Sequence, residues 1–325
     1  MRAVVLTEFG APSVLKLVAD QPIPQRSAGE ALVRVAATSV NPVDTAVRAG
    51  KVLPLLVKRP QIVGGDLSGV VVETDSTSQF KPGDKVFALT DGFNFQTRTG
   101  TYAEFASMKE DWLAPLPDNH SIESLAGVPL VALTAWQALE PAHLKAGQRV
   151  LIHAGAGGVG SMAIQIAKAW GLWVATTCGP KNIDLVTKEL GADQVIDYTK
   201  EDFTQVLRNN PVDCVLDMLG GTITGKSKQV LRRGGYLAHV LNANSPYLTI
   251  GAGLVFSTLR LGVRTGTTLV KPNGKQLRQI GDLIQRGKIK PVVDRVLPLE
   301  QAGEGHAVVE SGHARGKVIL KVQDV

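Results

Sequence analysis

Cysteine is nearly absent: Cys178 and Cys214 are the only two among 325 residues. Two thiols cannot build a four-thiolate zinc lobe or a disulfide framework, which points to a reducing compartment. No apolar run reaches the roughly 20 residues that a membrane-spanning helix needs. Aromatic residues make up 5% of the chain, and no dense basic cluster interleaves with them. The net charge of +6, from 35 basic and 29 acidic residues, suits anionic small ligands. Nucleic-acid binding is therefore not the favoured reading. Met1-Arg2-Ala3-Val4-Val5-Leu6 already reads as a strand, which leaves no room for a cleavable leader. The expectation is a cytoplasmic protein, with an organelle reached by an uncleaved signal left open.

What is present is more specific. Hydrophobic residues make up 44% of the chain, enough for a sizeable core and more than one compact domain. The run Val150-Leu151-Ile152-His153-Ala154-Gly155-Ala156-Gly157-Gly158-Val159-Gly160 places an apolar strand directly before Gly155-x-Gly157-x-x-Gly160, and a helical stretch follows. A dinucleotide pyrophosphate needs that order. The first glycine makes the tight turn, the second admits the phosphates, and the third lets helix and strand approach. Gly158 and Val159 complete the loop at the helix N-terminus, where free N–H groups and the positive dipole end attract phosphate.

Residues 1 to about 118 read as β-rich, with strands at Leu32–Ala37, Gly69–Glu73 and Lys85–Ala88. The polar loop 91–100 carries Phe93 and Phe95; it reads equally as a cover over a site and as a surface hairpin loop. From Ser121 the pattern alternates helix and strand, with strands at Leu172–Thr176, Gln194–Asp197, Cys214–Asp217 and Leu237–Val240 and a helix over Lys181–Leu190. Such alternation predicts a doubly wound parallel sheet, an α/β fold. A last helix spans Leu277–Arg286, and the tail from Val292, with a strand at Lys317–Lys321, is expected to fold back onto the β-rich region.

The glycine motif also bears on which dinucleotide binds. An NAD site usually places Asp or Glu about 20 residues after the first glycine, on the ribose 2′-hydroxyl. Here no acidic residue occurs between Gly160 and Asp184; the strand ends in Thr176-Thr177-Cys178-Gly179-Pro180-Lys181-Asn182. Hydroxyls, a glycine turn and a lysine stand where a 2′-phosphate would lie, which favours NADPH. Thr177, Cys178, Lys181 and Asn182 are therefore cofactor candidates. Tyr198, after the next strand, is another. Lys181 alone reads equally as an exposed helix-start residue.

Several further segments carry a family resemblance. They are Ser39-Val40-Asn41-Pro42-Val43-Asp44, Gly64-Gly65-Asp66-Leu67-Ser68-Gly69, Lys81-Pro82-Gly83-Asp84-Lys85-Val86 and Leu133-Thr134-Ala135-Trp136. With the glycine loop, they resemble the zinc-free quinone oxidoreductase branch of the medium-chain dehydrogenase/reductase superfamily. Thr177–Ile183 and Leu190–Tyr198 resemble its plant-type quinone oxidoreductase homologues and alkenal/enone reductases. The resemblance implies a GroES-like catalytic domain, residues 1–120 plus 288–325, into which a Rossmann dinucleotide domain, residues 121–287, is inserted. It implies an active site in the cleft, and a homodimer through the dinucleotide domain. By family position Thr134, Leu219, Val240, Leu241 and Phe256 join the cofactor set.

Zinc-dependent alcohol dehydrogenases resembling this chain would carry a Cys ligand where Asn41 stands and Gly-His-Glu where Gly64-Gly65-Asp66 stands. Neither thiolate nor imidazole is present, and the six histidines lack ligand spacing. No metal is expected. Without a Lewis acid the fitting substrates are already polarised: quinones and conjugated enones or enals, reduced by hydride from NADPH. Some bacterial relatives have tyrosines where Ala46 and Val52 stand here. The donor candidates are instead Asn41, Thr45 and Arg48, with Asn41 also a cofactor contact; each reads equally as a local structural residue. The alternative is an NADPH-binding crystallin-like or RNA-binding protein with little catalysis.

Overall fold

The computed structural model describes residues 1–52, 54–55, 57–91, 100–241 and 262–325. The chain divides into two compact units, Met1–Leu133 with Lys271–Val325, and Thr134–Val270.

The first unit is β-rich. Its strands are β1 (Ala3–Leu6), β2 (Leu15–Val18), β3 (Glu30–Val40), β4 (Gln61–Ile62), β5 (Asp66–Glu73), β6 (Lys85–Leu89), β7 (Phe105–Lys109) and β8 (Leu113–Pro115). Helix α1 (Pro42–Arg48) follows β3 directly, and α2 (Ile122–Leu125) starts at Ser121, whose side chain caps Ser124 N–H. Helix α3 (Pro129–Leu139) runs across the boundary of the unit. In β3 burial alternates at Ala31, Val33 and Val35, then becomes continuous to Val40. One face is covered first, then both.

The second unit contains β9 (Arg149–Ile152), α4 (Gly158–Ala169), β10 (Trp173–Cys178), β11 (Gln194–Asp197), α5 (Phe203–Val206), β12 (Val212–Asp217), α6 (Gly221–Ser227), β13 (Leu231–Val240) and β14 (Arg264–Thr268). Among the described residues they form one parallel sheet in the order β11-β10-β9-β12-β13-β14. Register aligns Leu151 with Ala175 and Val215, and Val215 with Leu237. That row is a buried apolar core, closed by Ile196, Phe203 and Leu207. Strands buried on both faces need continuous apolar runs, and Val150-Leu151-Ile152 supplies one. Strand order reverses at β9/β12, which in doubly wound sheets marks the ligand-binding crevice.

The chain then returns to the first unit with α7 (Gly274–Gln285), β15 (Val293–Pro298), α8 (Ala302–Glu310) and β16 (Lys317–Lys321). Strand β16 pairs antiparallel with β3, Val318 opposite Val40, so the tail does fold back onto the N-terminal strands.

Two expectations need adjustment. The segments 121–133 and 271–287, assigned from sequence to the dinucleotide domain, pack with the first unit, because α2 lies on β3 and β5 and α7 lies on β8. The helix expected over Lys181–Leu190 splits into a 3-10 turn at Pro180–Asn182 and a wide π turn at Leu185–Glu189. There Leu190 N–H reaches back to Leu185 O, and the Thr187 hydroxyl bonds Ile183 O.

Candidate functional site

The carboxyl ends of β9 to β13 gather most cofactor candidates on one edge of the second unit. After β9 the backbone passes His153 and Ala154, the latter left-handed at φ 51°, into Gly155. Gly155 N–H donates to Thr177 O at 2.9 Å and Gly157 N–H to Ala154 O at 3.0 Å. A Cβ on Gly155 would lie 2.1 Å from Thr176 Oγ1, and one on Gly160 would lie 2.2 Å from Ala154 O. Only glycine allows either approach. Helix α4 starts at Gly158 after Gly157, with no side-chain cap. The first-turn N–H groups of Gly158, Val159 and Gly160 are thus left to an anion.

His153 locks this turn, a role its sequence position did not announce. Its Nδ1 lies 3.2 Å from Thr177 Oγ1 and its Nε2 3.0 Å from Ser227 Oγ. The Ser227 hydroxyl donates to Ile223 O, so Nε2 carries the ring proton and Nδ1 accepts from Thr177. Thr177 Oγ1 in turn accepts Ala154 N–H at 3.2 Å. Burial pushes the imidazole down to about 4, which keeps it neutral. Thr177 is therefore a tie that shapes the turn.

Beyond β10, Lys181 is exposed and Asn182 half-buried in the 3-10 turn after Gly179. The Tyr198 ring, 67% exposed, overlies Gly179, with its hydroxyl 3.2 Å from where a Cβ there would stand. Together they make a ledge with a lysine and an aromatic face. Cys178 does not join it as an accessible thiol: it is buried, and burial pushes its thiol up to about 11. The neighbouring strand brings Asp197 opposite Cys178, an acid that spacing along β10 could not reveal. Its Oδ1 accepts the N–H and hydroxyl of Thr199.

Asp217, at the end of β12, was also missed. Its Oδ1 accepts the N–H groups of Leu219 and Gly220, and its Oδ2 the Thr224 hydroxyl. Burial opposes its charge, but His239 and then these bonds hold it well below the usual carboxylate range, and the bonds fix the turn that presents Leu219, which is half-exposed at 48%. Val240 is buried at the end of β13 and Leu241 half-buried beside it. Thr134 is buried on α3. Phe256, like Phe93, lies outside the described residues.

In the first unit the catalytic candidates sit in a closed polar cluster. Asn41 is fully buried; its Nδ2 donates to Asp66 Oδ2 at 2.9 Å, and its Oδ1 accepts from Lys317 Nζ. Its backbone N–H is capped by Asp44 Oδ2 at 2.8 Å. Thr45 donates to Pro42 O, within its own helix. Arg48, expected as an open donor or a surface charge, is 2% exposed and ion-paired with Glu310 of α8. All three are engaged by partners in the first unit. Burial, together with the neighbouring Asp66 charge, pushes the Asp44 carboxyl up to about 7. Near it the Tyr102 hydroxyl lies 3.2 Å from His306 Nε2, and burial pushes that imidazole down to about 3.

A glycine turn at the switch point of a parallel sheet, inserted between two parts of a β-rich unit, defines a nicotinamide-dependent oxidoreductase. Residues 27–118 match the family described as "Alcohol dehydrogenase GroES-like domain", and residues 190–320 the one described as "Zinc-binding dehydrogenase". The chain is 33% identical to the Arabidopsis thaliana "NADPH-dependent alkenal/one oxidoreductase, chloroplastic", over 98% of this chain and 79% of that one. The quinone oxidoreductase of Coxiella burnetii superposes with a TM-score of 0.87 at 34% identity, covering 99% of each chain. The Escherichia coli quinone oxidoreductase complexed with NADPH gives 0.82 at 27%, covering 99% of this chain and 100% of that one. The chain belongs to the medium-chain dehydrogenase/reductase superfamily, among its quinone oxidoreductase-like members.

The second family description implies zinc, and the residues at the corresponding place do not suit it. Asn41 and Asp66 offer amide and carboxylate oxygens already engaged by Leu130 N–H, Ser39 and Lys317. No thiolate or imidazole ligand stands there, and the ammonium of Lys317 would face the metal.

Proposed function

We propose that the chain is an NADPH-dependent, zinc-independent reductase of quinones or α,β-unsaturated carbonyls. The observation that carries this reading is the ledge after β10, where exposed Lys181 and Tyr198 flank Gly179 and no carboxylate follows the glycine turn on that strand. When bound, NADPH supplies a hydride for a quinone or for the β-carbon of a conjugated carbonyl. The glycine turn and the α4 N–H groups hold the pyrophosphate, and Lys181 pairs with the 2′-phosphate. The His153–Thr177 lock keeps the turn preformed, so binding does not have to order it. Leu219 and Leu241 give the carboxyl edge apolar surface for a flat ring. Asn41, Thr45 and Arg48 contribute by fixing α1.

A screen of an enal, a cyclic enone, a furanone and an ortho-quinone, each with NADPH and NADH, tests the proposal. The expected result is NADPH oxidation with at least one acceptor and a clear preference over NADH. Turnover that requires added zinc and an alcohol would overturn it. A second reading, cofactor binding with little catalysis, draws on one observation: all three candidate donors are engaged within the first unit. Tight NADPH binding with no turnover of any acceptor would favour it.

A further inference from the structure

We propose that Lys317 is a built-in cation: its ammonium fills the oxygen cluster of Val40, Asn41 and Asp66, excludes a divalent metal from it, and positions the Asn41 amide. Strand β16 carries Lys317 to the end of β3, one residue beyond the Val318–Val40 pair. The side chain is 5% exposed. Its ammonium donates to Val40 O at 3.0 Å and to Asn41 Oδ1 in a short contact, and Asp66 Oδ2 lies 3.7 Å away as its ion-pair partner. The charge thus sits among three oxygens of one cluster, two of them hydrogen-bonded to it.

The rest of the cluster is built around that charge. Asp66 Oδ1 accepts Leu130 N–H at 2.7 Å, and Oδ2 accepts the Ser39 hydroxyl and Asn41 Nδ2. Asp44 lies next to it through the Asn41 N–H. The Asp66 carboxylate, the Asp44 carboxyl and one amide oxygen are thus buried with one cation among them. The amide has one possible orientation, since a flip would set its NH₂ against the ammonium and its oxygen against a carboxylate. Lys317 thereby dictates which way Asn41 faces and anchors the first turn of α1. The lysine stem is clamped as well: a Cβ on Gly127 would lie 3.0 Å from Lys317 Cβ. Without the ammonium, the remaining carboxylates, amide and carbonyl are hard oxygen donors of the kind that take Mg²⁺ or Mn²⁺ rather than zinc.

The test uses the full-length protein and readouts that do not depend on any acceptor. Wild type should bind no Zn²⁺ or Mn²⁺ in this cluster by calorimetry, and neither ion should shift its thermal midpoint. Lys317→Ala should lower the midpoint by on the order of 10 °C, because it strands buried carboxylates. Methylammonium or Mn²⁺ should restore a substantial part of that loss. Lys317→Met, whose side chain fills the space without a charge, should not be restored by either. A merely structural stem would show the opposite ranking, with Met tolerated and no rescue of Ala. The Lys317→Met/Asp66→Asn double variant should be more stable than either single variant. Losses that simply add, or stoichiometric zinc in wild type with Lys317 intact, would overturn the proposal. If Lys317→Ala does not fold, the double variant decides: a folded product supports the built-in cation, and an unfolded one contradicts it.

Discussion

The two units present polar groups in opposite ways. In the second, the groups offered to a ligand are mostly backbone: the N–H groups of Gly158, Val159 and Gly160 at an uncapped helix start. In the first, the polar groups are side chains that satisfy one another, from Asp66 through Asn41 to Lys317. A backbone cradle binds what arrives, whereas a closed cluster holds its own walls. The difference implies that damage to the second unit falls on cofactor affinity, and damage to the first on stability and on the placement of α1.

The largest effect that sharpens this contrast is expected from Gly160→Ala. The added methyl would meet Ala154 O at 2.2 Å, and the turn must open to admit it. A penalty of about 3 kcal/mol corresponds to roughly a hundredfold weaker NADPH binding by fluorescence titration. Hydrogen exchange in β3 and β16 should not change. Faster exchange there would break the separation between the units.

Next is the pH response of the first unit. The Asp44 carboxyl ionises at 3.8 when unfolded and at about 7 when folded. The folded state therefore holds a proton that the unfolded state has lost, and stability from this group falls as pH rises from 3.8 to 7. Asp44→Asn removes that loss, so the variant should gain on wild type across this window and no further above it. His153 and His306 act in the opposite sense. Both stay neutral in the fold down to about 4 and 3, so their contribution falls as pH drops below 6.5. Midpoints of wild type and variant, measured from pH 4 to 8, check both signs.

A smaller effect is expected for Thr177→Val, which keeps shape but removes the hydroxyl joining Ala154 N–H to His153 Nδ1. The expected cost is about 1 kcal/mol in the second unit with severalfold weaker NADPH binding. Unchanged affinity would show that the turn is held without the His153 lock.

How far the sequence can be read follows the same division. The glycine turn was legible because Gly155, Gly157 and Gly160 are contiguous and flanked by a strand and a helix whose periods are local. The parallel sheet followed from that alternation; the tail was expected to return to the β-rich region, whereas its pairing with β3 is visible only in the structure. The closed cluster was not legible, since Asn41, Asp66 and Lys317 meet only after β16 has crossed to β3. The burial of Arg48 and Cys178 was not legible for one reason: it depends on what packs over a residue, here Glu310 of α8 and the neighbouring strands. His153 was visible only as one histidine among six, and its role rests on Thr177 and Ser227, which are distant in sequence.

In the proposed function, Lys181 in the turn after β10 meets the 2′-phosphate of NADPH. Paired titrations of wild type and Lys181→Ala with NADPH and NADH test it most directly. The prediction is that wild type binds NADPH at least about tenfold more tightly, and that Lys181→Ala loses most of that preference while its NADH affinity stays constant. Equal affinities in wild type, or tighter NADH binding, would contradict it.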